Sequence, residues 1–396
     1  MDHEKVLFHV GRFGHPYFSE QLHAVPAGFR YVTPGRQPQA ATKRITLDTA
    51  RMRSVRDALE RVAVRTLSAG GYVRRTSLRD PGECALVHSA QQLLRPMAVP
   101  YVVDFECIEA FSLYQRAALK RPWARRRLIA ALSEDGCRML LPWSRAAERG
   151  LSTALGDEAA GRLKEKMTTV LPGIRPRTER APQRGPEPLR VLFVGTAFEA
   201  KGGVEAVRAV AQARATHDVT LDLVSDVPDR WRAEIERTGG VTVHDWPTPA
   251  AQIESLFAGS HLLLFPSHMD TLGFVMLEAM ASGVPVLATR HFAVPELVED
   301  NVSGVLVEGE NLLYGDDGLC RFDHTLPPPS SFREALASPS QRYVGRLADG
   351  LARIAEDSGL HQRLAAGALS RVTTGPLSMD ARRSALAAVY RRALAS

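Results

Sequence analysis

The amino-acid sequence predicts an α/β protein built from two Rossmann-like, doubly wound domains. Three observations carry that expectation. After residue 189, short unbroken apolar runs alternate with amphipathic segments, the pattern of buried parallel strands joined by covering helices. Residues 1–171 repeat this grammar less regularly. Residues 171–188, LPGIRPRTERAPQRGPEP, set five prolines among charged and small residues with no apolar periodicity, which reads as an interdomain linker. With 396 residues, the chain can bury two or three large cores.

Each element follows from its residues. In the first half, KVLFHVG opens as a strand and residues 52–67 form an Arg-studded helix. ECALVHS, YVVDFE and RMLLPWS read as further strands. Beyond the linker, RVLFVG (190–195) is a buried strand and 203–215 a helix. LDLVSD and VTVHDW are strands, 250–258 a helix, HLLLFPS a strand, 274–281 a helix, and VPVLAT and SGVLVE strands. Residues 308–342 contain LPPPSS and no firm element, so they are expected to form a loop or insertion. Residues 378–395 space apolar side chains near i, i+3 and i+4, as an amphipathic helix does.

Composition narrows the function classes. Hydrophobic residues make up 45% and charged residues 24%, the balance of an ordinary globular protein. The net charge of +6 suits an anionic small molecule, an anionic membrane surface or nucleic acid without choosing among them. No nucleic-acid motif accompanies the charge, so no nucleic-acid partner is expected. The cysteines Cys84, Cys107, Cys137 and Cys320 are far apart and join no Cys/His cluster; no disulfide framework or zinc site is expected, and a reducing cytoplasm is. The first residues hold a four-residue apolar run without a cleavage region, and nothing reaches 18 apolar residues, so membrane contact is expected to be peripheral at most.

In open α/β sheets, ligands sit beyond the carboxyl ends of the strands, where loops lead into helix N-termini. Two such loops stand out. FVGTAFEAKGG (193–203) is a strand, a glycine turn at Gly195 and Thr196, and a lysine before Gly-Gly opens a helix; helix N-termini bind anions and Lys201 adds a point charge for a phosphate. Lys201 is also the only lysine after Lys166 in a chain whose basic residues are mostly arginine. In the second loop, FPSHMDTLGFVMLEAMASGVPVLAT (265–289), Gly273 opens a helix, Asp270 stands before it and Glu278 inside it. Glu278 is flanked by Met276, Leu277, Ala279, Met280 and Ala281, where an unpaired carboxylate is expensive, and a carboxylate so placed can accept both hydroxyls of a ribose.

The stretch 270–307 resembles the signature of retaining glycosyltransferases of family 4, of the GT-B fold: E-x7-E, then E-A-M-A-x-G-x-P-V and a P-E segment. FVGTAFEAKGG is similar to the phosphate-binding loop of that family. The resemblance implies two Rossmann-like domains facing a cleft, an acceptor domain over 1–171 with 376–396 returning to it, a linker over 172–188 and a donor domain over 189–375. It implies transfer of a sugar from a UDP- or GDP-sugar co-substrate to a hydroxyl or thiol acceptor with retention, without a metal or other cofactor and without an enzymic nucleophile. Lys201 would bind the diphosphate, Glu278 the ribose and Asp270 the donor-sugar hydroxyls. Gly195, Thr196 and the backbone N–H groups of Leu272, Gly273, Phe274 and Val275 would face the donor. Asp270 replaces the usual Glu, Thr196 stands where an Arg is common, and VVDFE replaces a strand often ending in His-Asp. The expected acceptor is a small molecule of secondary metabolism. Cell-envelope glycan or glycolipid transfer, or nucleotide-sugar binding without catalysis, is the alternative.

Weaker candidates lie in the first half. Gly11, Gly14 and His15 follow the first strand; His88, Asp104 and Glu106 end later ones; all six are candidate acceptor contacts, with a turn or a satisfied core residue as the other reading. Asp104 and Glu106 could alternatively form a divalent-metal pair. KRPWARRR (120–127) reads as a solvated helix face or an anionic-surface patch, and Glu296 as a helix-start residue or a donor-pocket lining.

Overall fold

A computed structural model describes residues 3–10, 17–32, 73–78, 80–185, 187–310, 312–322 and 329–395. The chain divides into two compact units. Unit 1 comprises Met1–Gly173, Tyr314–Pro328 and Met379–Ser396; unit 2 comprises Ile174–Leu313 and Pro329–Ser378.

Unit 1 holds β1 (Glu4–Val10), β2 (Phe29–Val32), β3 (Arg75–Thr76), β4 (Leu86–Ala90), β5 (Leu93–Leu94), β6 (Tyr101–Phe105) and β7 (Cys137–Pro142). β3 and β5 form a minor pair; the others form one parallel sheet in the order β2-β1-β4-β6-β7. Strand succession therefore reverses beside β1, the mark of double winding. The sheet is buried because its strands are almost wholly apolar: Val6, Leu86, Val102 and Leu141 are sealed in one core. Burial of each such side chain contributes about 1.5–3 kcal/mol.

The last helix, Met379–Ala395, closes that core with Met379, Leu386, Val389, Tyr390 and Ala393. Buried Arg382 caps the contact by donating to the carbonyls of Leu171 and Val170 at 2.9 and 3.3 Å. The last helix thus packs as part of unit 1.

Unit 2 holds β8 (Leu189–Ala197), β9 (Val219–Asp226), β10 (Val241–Asp245), β11 (Leu262–Phe265), β12 (Val286–Arg290) and β13 (Gly304–Glu308). All pair in parallel, in the order β10-β9-β8-β11-β12-β13. The reversal falls between β8 and β11, so the carboxyl ends of these two strands flank the place where such sheets take ligands. The expected α/β class and both parallel sheets are present.

The sequence reading missed two long helices, Gln341–Glu356 and Ser358–Thr373. Ser340 and Asp357 cap them, accepting from the N–H groups of Tyr343 and Leu360 at 3.1 and 2.8 Å. Tyr343, Val344, Leu347, Leu351 and Ile354 then pack into the unit 2 core.

Residues 308–342 are not a uniform loop. Helix Ser330–Ala337 follows the proline run, while Tyr314 and Cys320 pair across an antiparallel bridge inside unit 1. There Cys320 N–H donates to Glu109 Oε1 at 2.9 Å, and Gly318 lies so close to Gly150 that a Cβ on Gly150 would sit 2.4 Å from the Gly318 oxygen. Burial pushes the Glu109 carboxyl above the usual range.

The stretch read as a linker is fastened along unit 2 by hydrogen bonds from Ile174 N to Leu377 O, Arg177 N to Ala281 O, and Arg184 Nη1 to Ile354 O and Ala355 O. The expected 52–67 helix lies outside the described residues.

Candidate donor site

The first loop of the site is a tight turn. After β8, Lys201 N–H bonds Ala197 O at 2.8 Å, Gly202 N–H bonds Glu199 O at 3.0 Å, and Gly203 N–H bonds Phe198 O at 2.7 Å. Gly202 takes φ +81° and lies against the second loop: a Cβ there would stand 2.1 Å from Pro266 O. Gly195 makes room for the lysine stem, since its Cβ would fall 2.8 Å from Lys201 Cβ. Thr196 beside it is half-buried. Helix Gly203–Ala213 begins at once.

The second loop brings Asp270 to the same place. Lys201 Nζ donates to Asp270 Oδ1 at 2.6 Å, with the two side chains 24% and 16% exposed. Burial pushes the Asp270 carboxyl up, but the charge and hydrogen bond of Lys201 prevail and hold it below the usual carboxylate range. His291, at the end of β12, places Nε2 3.1 Å from Asp270 O. Burial pushes the His291 imidazole down to about 4, so it is neutral at pH 7.

His268 joins the loops from below. Its Nε2 is 2.7 Å from Glu205 Oε1 and its Nδ1 2.8 Å from Glu310 O. Burial works against its charge, yet the hydrogen bond and charge of Glu205 raise its pKa. The sequence reading singled out none of His268, Glu205 and His291. The available signal was a histidine two residues before Asp270, and an acidic residue inside the apolar stripe Val204, Ala206, Val207.

Gly273, at φ +75°, opens helix Phe274–Ala281. A Cβ there would meet Phe265 Cζ at 2.6 Å, so the helix starts tight against β11. Phe274 and Val275 are half-buried while Leu272 is sealed. The positive end of the helix dipole makes such a start attractive to anions.

Glu278 departs from expectation. Its neighbours Met276, Leu277, Ala279, Met280 and Ala281 are buried, but its own side chain is 37% exposed and faces Arg177 Nη2 at 3.7 Å. Helical rotation turns this one position outward, so the carboxylate is solvated and accessible instead of enclosed.

The first-half candidates separate from this site. Gly11, Gly14 and His15 lie outside the described residues. His88 and Asp104 are internal to unit 1: His88 Nδ1 is 2.6 Å from the Tyr390 hydroxyl, and His88 Nε2 is 3.3 Å from Asp104 Oδ2. Arg382 Nη2 lies 3.8 Å from the same carboxylate. With side chains 0% and 1% exposed, His88 and Asp104 are tied to the last helix, which corrects the expectation that they face an acceptor.

Glu106 instead accepts from the Tyr114 hydroxyl at 2.5 Å, a partner that Asp104 does not share. Among the described residues, no cluster of three His, Cys, Asp or Glu side chains could hold a metal ion. The 120–127 stretch enters helix Pro122–Ser133 with Ala124 and Leu128 inward, the arginines outward and Trp123 42% exposed. Glu296 is half-buried in the Val294–Leu297 turn, its carbonyl accepting from Arg371 Nη2 at 2.6 Å. Among the described residues, no helix is long and apolar enough to cross a membrane.

Two Rossmann-like halves, the second with a lysine-bearing turn and a glycine-opened helix at its switch point, have the architecture of the GT-B fold. Over its full length the chain is similar to the solved structure of sucrose-phosphate synthase from Thermosynechococcus elongatus, with a TM-score of 0.57, 15% identity and 100% of both chains covered. Residues 188–313 match the family described as Glycosyl transferases group 1, and unit 2 carries a domain of that family.

The chain is 36% identical over 127 residues to a D-inositol 3-phosphate glycosyltransferase of Segniliparus rotundus, covering 30% of this chain and 28% of that one. It is 30% identical over 187 residues to the amylovoran biosynthesis glycosyltransferase AmsK of Erwinia amylovora, covering 43% and 44%. The chain thus matches less than half the length of either relative.

Proposed function

We propose that the protein is a retaining glycosyltransferase that moves a sugar from a nucleoside diphosphate sugar, UDP or GDP, to a hydroxyl acceptor. One observation carries this reading: Lys201 and Asp270 converge at 2.6 Å beyond the carboxyl ends of β8 and β11, beside the start of helix Phe274–Ala281. A cation, a carboxylate and a helix N-terminus at a sheet switch point suit a phosphorylated sugar.

In this reading the donor diphosphate takes Lys201 from Asp270. The lysine and the N–H groups of the first helical turn then stabilise charge as the glycosidic bond breaks. Asp270, relieved of its partner, accepts hydrogen bonds from donor-sugar hydroxyls, and the outward Glu278 accepts from the ribose. The leaving phosphate oxygen takes the acceptor's proton. No metal enters these steps. The names of the two relatives, one acting on an inositol phosphate and one in amylovoran biosynthesis, favour a polyhydroxylated acceptor such as a cyclitol phosphate or a growing glycan over a thiol or a secondary metabolite.

Thermal melting with UDP, GDP, ADP and their common sugars, with and without EDTA, tests the reading. One nucleotide is expected to raise Tm by mass action, equally in EDTA. A protein that no nucleotide stabilises would overturn it.

A further inference from the structure

The pair His268–Glu205 lies beneath the candidate donor site and is assigned no part in binding or chemistry. Both side chains are sealed, at 1% and 0% exposure, with Nε2 2.7 Å from Oε1. Every polar group of His268 is engaged. Its backbone N–H donates to Ala200 O at 3.1 Å, its carbonyl accepts from Leu313 N–H at 2.7 Å, Nδ1 meets Glu310 O and Nε2 meets Glu205. The imidazole also stands edge-on to Tyr343, 5.8 Å between centroids, and the Tyr343 hydroxyl donates to Pro266 O at 3.1 Å. One residue therefore fastens the turn that carries Lys201, the loop that carries Asp270, and the segment after β13.

Stability is a poor reason for such a pair. Taking two charges out of water costs about as much as their attraction returns, and apolar residues of similar shape often serve the fold as well. Glu205 Oε2 makes no further hydrogen bond among the described residues, so even this carboxylate is only half satisfied. What the pair supplies, and apolar residues would not, is a directional link at fixed length from the first turn of helix Gly203–Ala213 to the loop two residues before Asp270. We propose that His268 and Glu205 are positioning residues for the donor site: their buried contact sets the two loops in register, so that the Lys201 amine and the Asp270 carboxylate face one diphosphate sugar. This rests on the reading of Lys201 and Asp270 as the donor site.

The test uses the full chain and UDP and GDP as probes, with Tm and nucleotide Kd measured on the same samples. Glu205→Ala is expected to weaken binding of the preferred nucleotide about 10-fold or more, because a misplacement of about 1 Å at a distance is felt strongly at a preorganised site. Glu205→Gln, which keeps an acceptor at the same place, is expected to recover most of that affinity. The double substitution Glu205→Leu with His268→Leu fills the space without the link. It is expected to fold with a Tm near that of the unmodified protein and still to bind about 10-fold more weakly.

A folded double variant with unchanged affinity, while Lys201→Ala binds poorly, would overturn the positioning role and leave the donor site standing. Unchanged nucleotide affinity in Lys201→Ala would overturn the donor-site reading itself.

Discussion

Each unit contains a carboxylate with a basic partner near the carboxyl end of its sheet, and the two have opposite fates. In unit 1, Asp104 is enclosed by His88, Arg382 and the backbone of Gln91, and the Tyr390 hydroxyl completes the network. In unit 2, Asp270 meets Lys201 at 2.6 Å with both side chains partly exposed. The difference lies in what covers the strand end. Unit 1 is covered by the last helix, whose Arg382 and Tyr390 consume the polar groups. At the unit 2 switch point, glycines at 202 and 273 draw the loops in, and Lys201 and Asp270 keep part of their side chains exposed. A titratable pair near a strand end thus marks a ligand site only where nothing else has claimed it.

This contrast can be broken by substitution. The largest expected effect is on turnover: Lys201→Ala is expected to cut kcat/KM by about 100-fold or more, as removal of a transition-state donor does, while Tm changes by no more than about 2 °C. Asp104→Ala should do the reverse. It strands Arg382 in the core, and loss of one partner of a buried pair costs about 3–5 kcal/mol, a fall in Tm of roughly 10 °C by calorimetry. If Asp104→Ala impaired turnover without lowering Tm, the contrast between the units would fail.

Glu278→Gln should come next, raising KM for the donor about 10-fold with a smaller change in kcat, since a ribose contact is made in ground and transition states alike.

The pH dependence sharpens the comparison further. His261 and His291, both in unit 2, are held near 4 by burial, against a usual value of 6.5. As pH falls from 6.5 towards 4, the unfolded chain takes up protons that these buried rings refuse, so stability is lost across that interval. His268 runs the other way: its raised pKa contributes stability fully present below 6.5 and lost as pH rises through its folded value. Asp270, held low, adds stability that disappears only as pH falls below about 3.8. The expected outcome is a Tm that drops between pH 6.5 and 4, with His291→Gln flattening the drop.

The smallest effect is expected for Arg177→Ala, a change in Tm of no more than about 2 °C, because a half-exposed ion pair contributes little.

Unit 2 was far more legible in the sequence than unit 1. Its strands are continuous apolar runs bounded by glycine, proline or charge, and the Phe274–Ala281 helix was read to the residue. Periodicity there reports burial on both faces, which sequence alone shows well. What it could not show was which polar residues the tertiary fold would consume. His88 and Asp104 read as an accessible strand end because Tyr390 and Arg382, which enclose them, are far away along the chain. Glu278 read as enclosed because its neighbours in sequence are apolar, whereas a helix separates neighbours by about 100°. The Gln341–Glu356 and Ser358–Thr373 helices are capped by Ser340 and Asp357, but the proline run before them obscures their start in the sequence.

The division of the chain has a consequence for recombination. Unit 2 is made from two stretches, and the intervening residues Tyr314–Pro328 belong to the fold of unit 1. A donor module cut from 174 to 378 and grafted onto another acceptor unit would carry a foreign piece, with Gly318 and Cys320 seeking a Gly150 and a Glu109 that the host lacks. A shorter cassette that stops at 313, where the family match ends, would lose the helices whose Tyr343, Leu347 and Leu351 close the core. A workable exchange keeps 174–313 and 329–378 and retains the host's own segment between them, so this protein is modular in space but not along its gene.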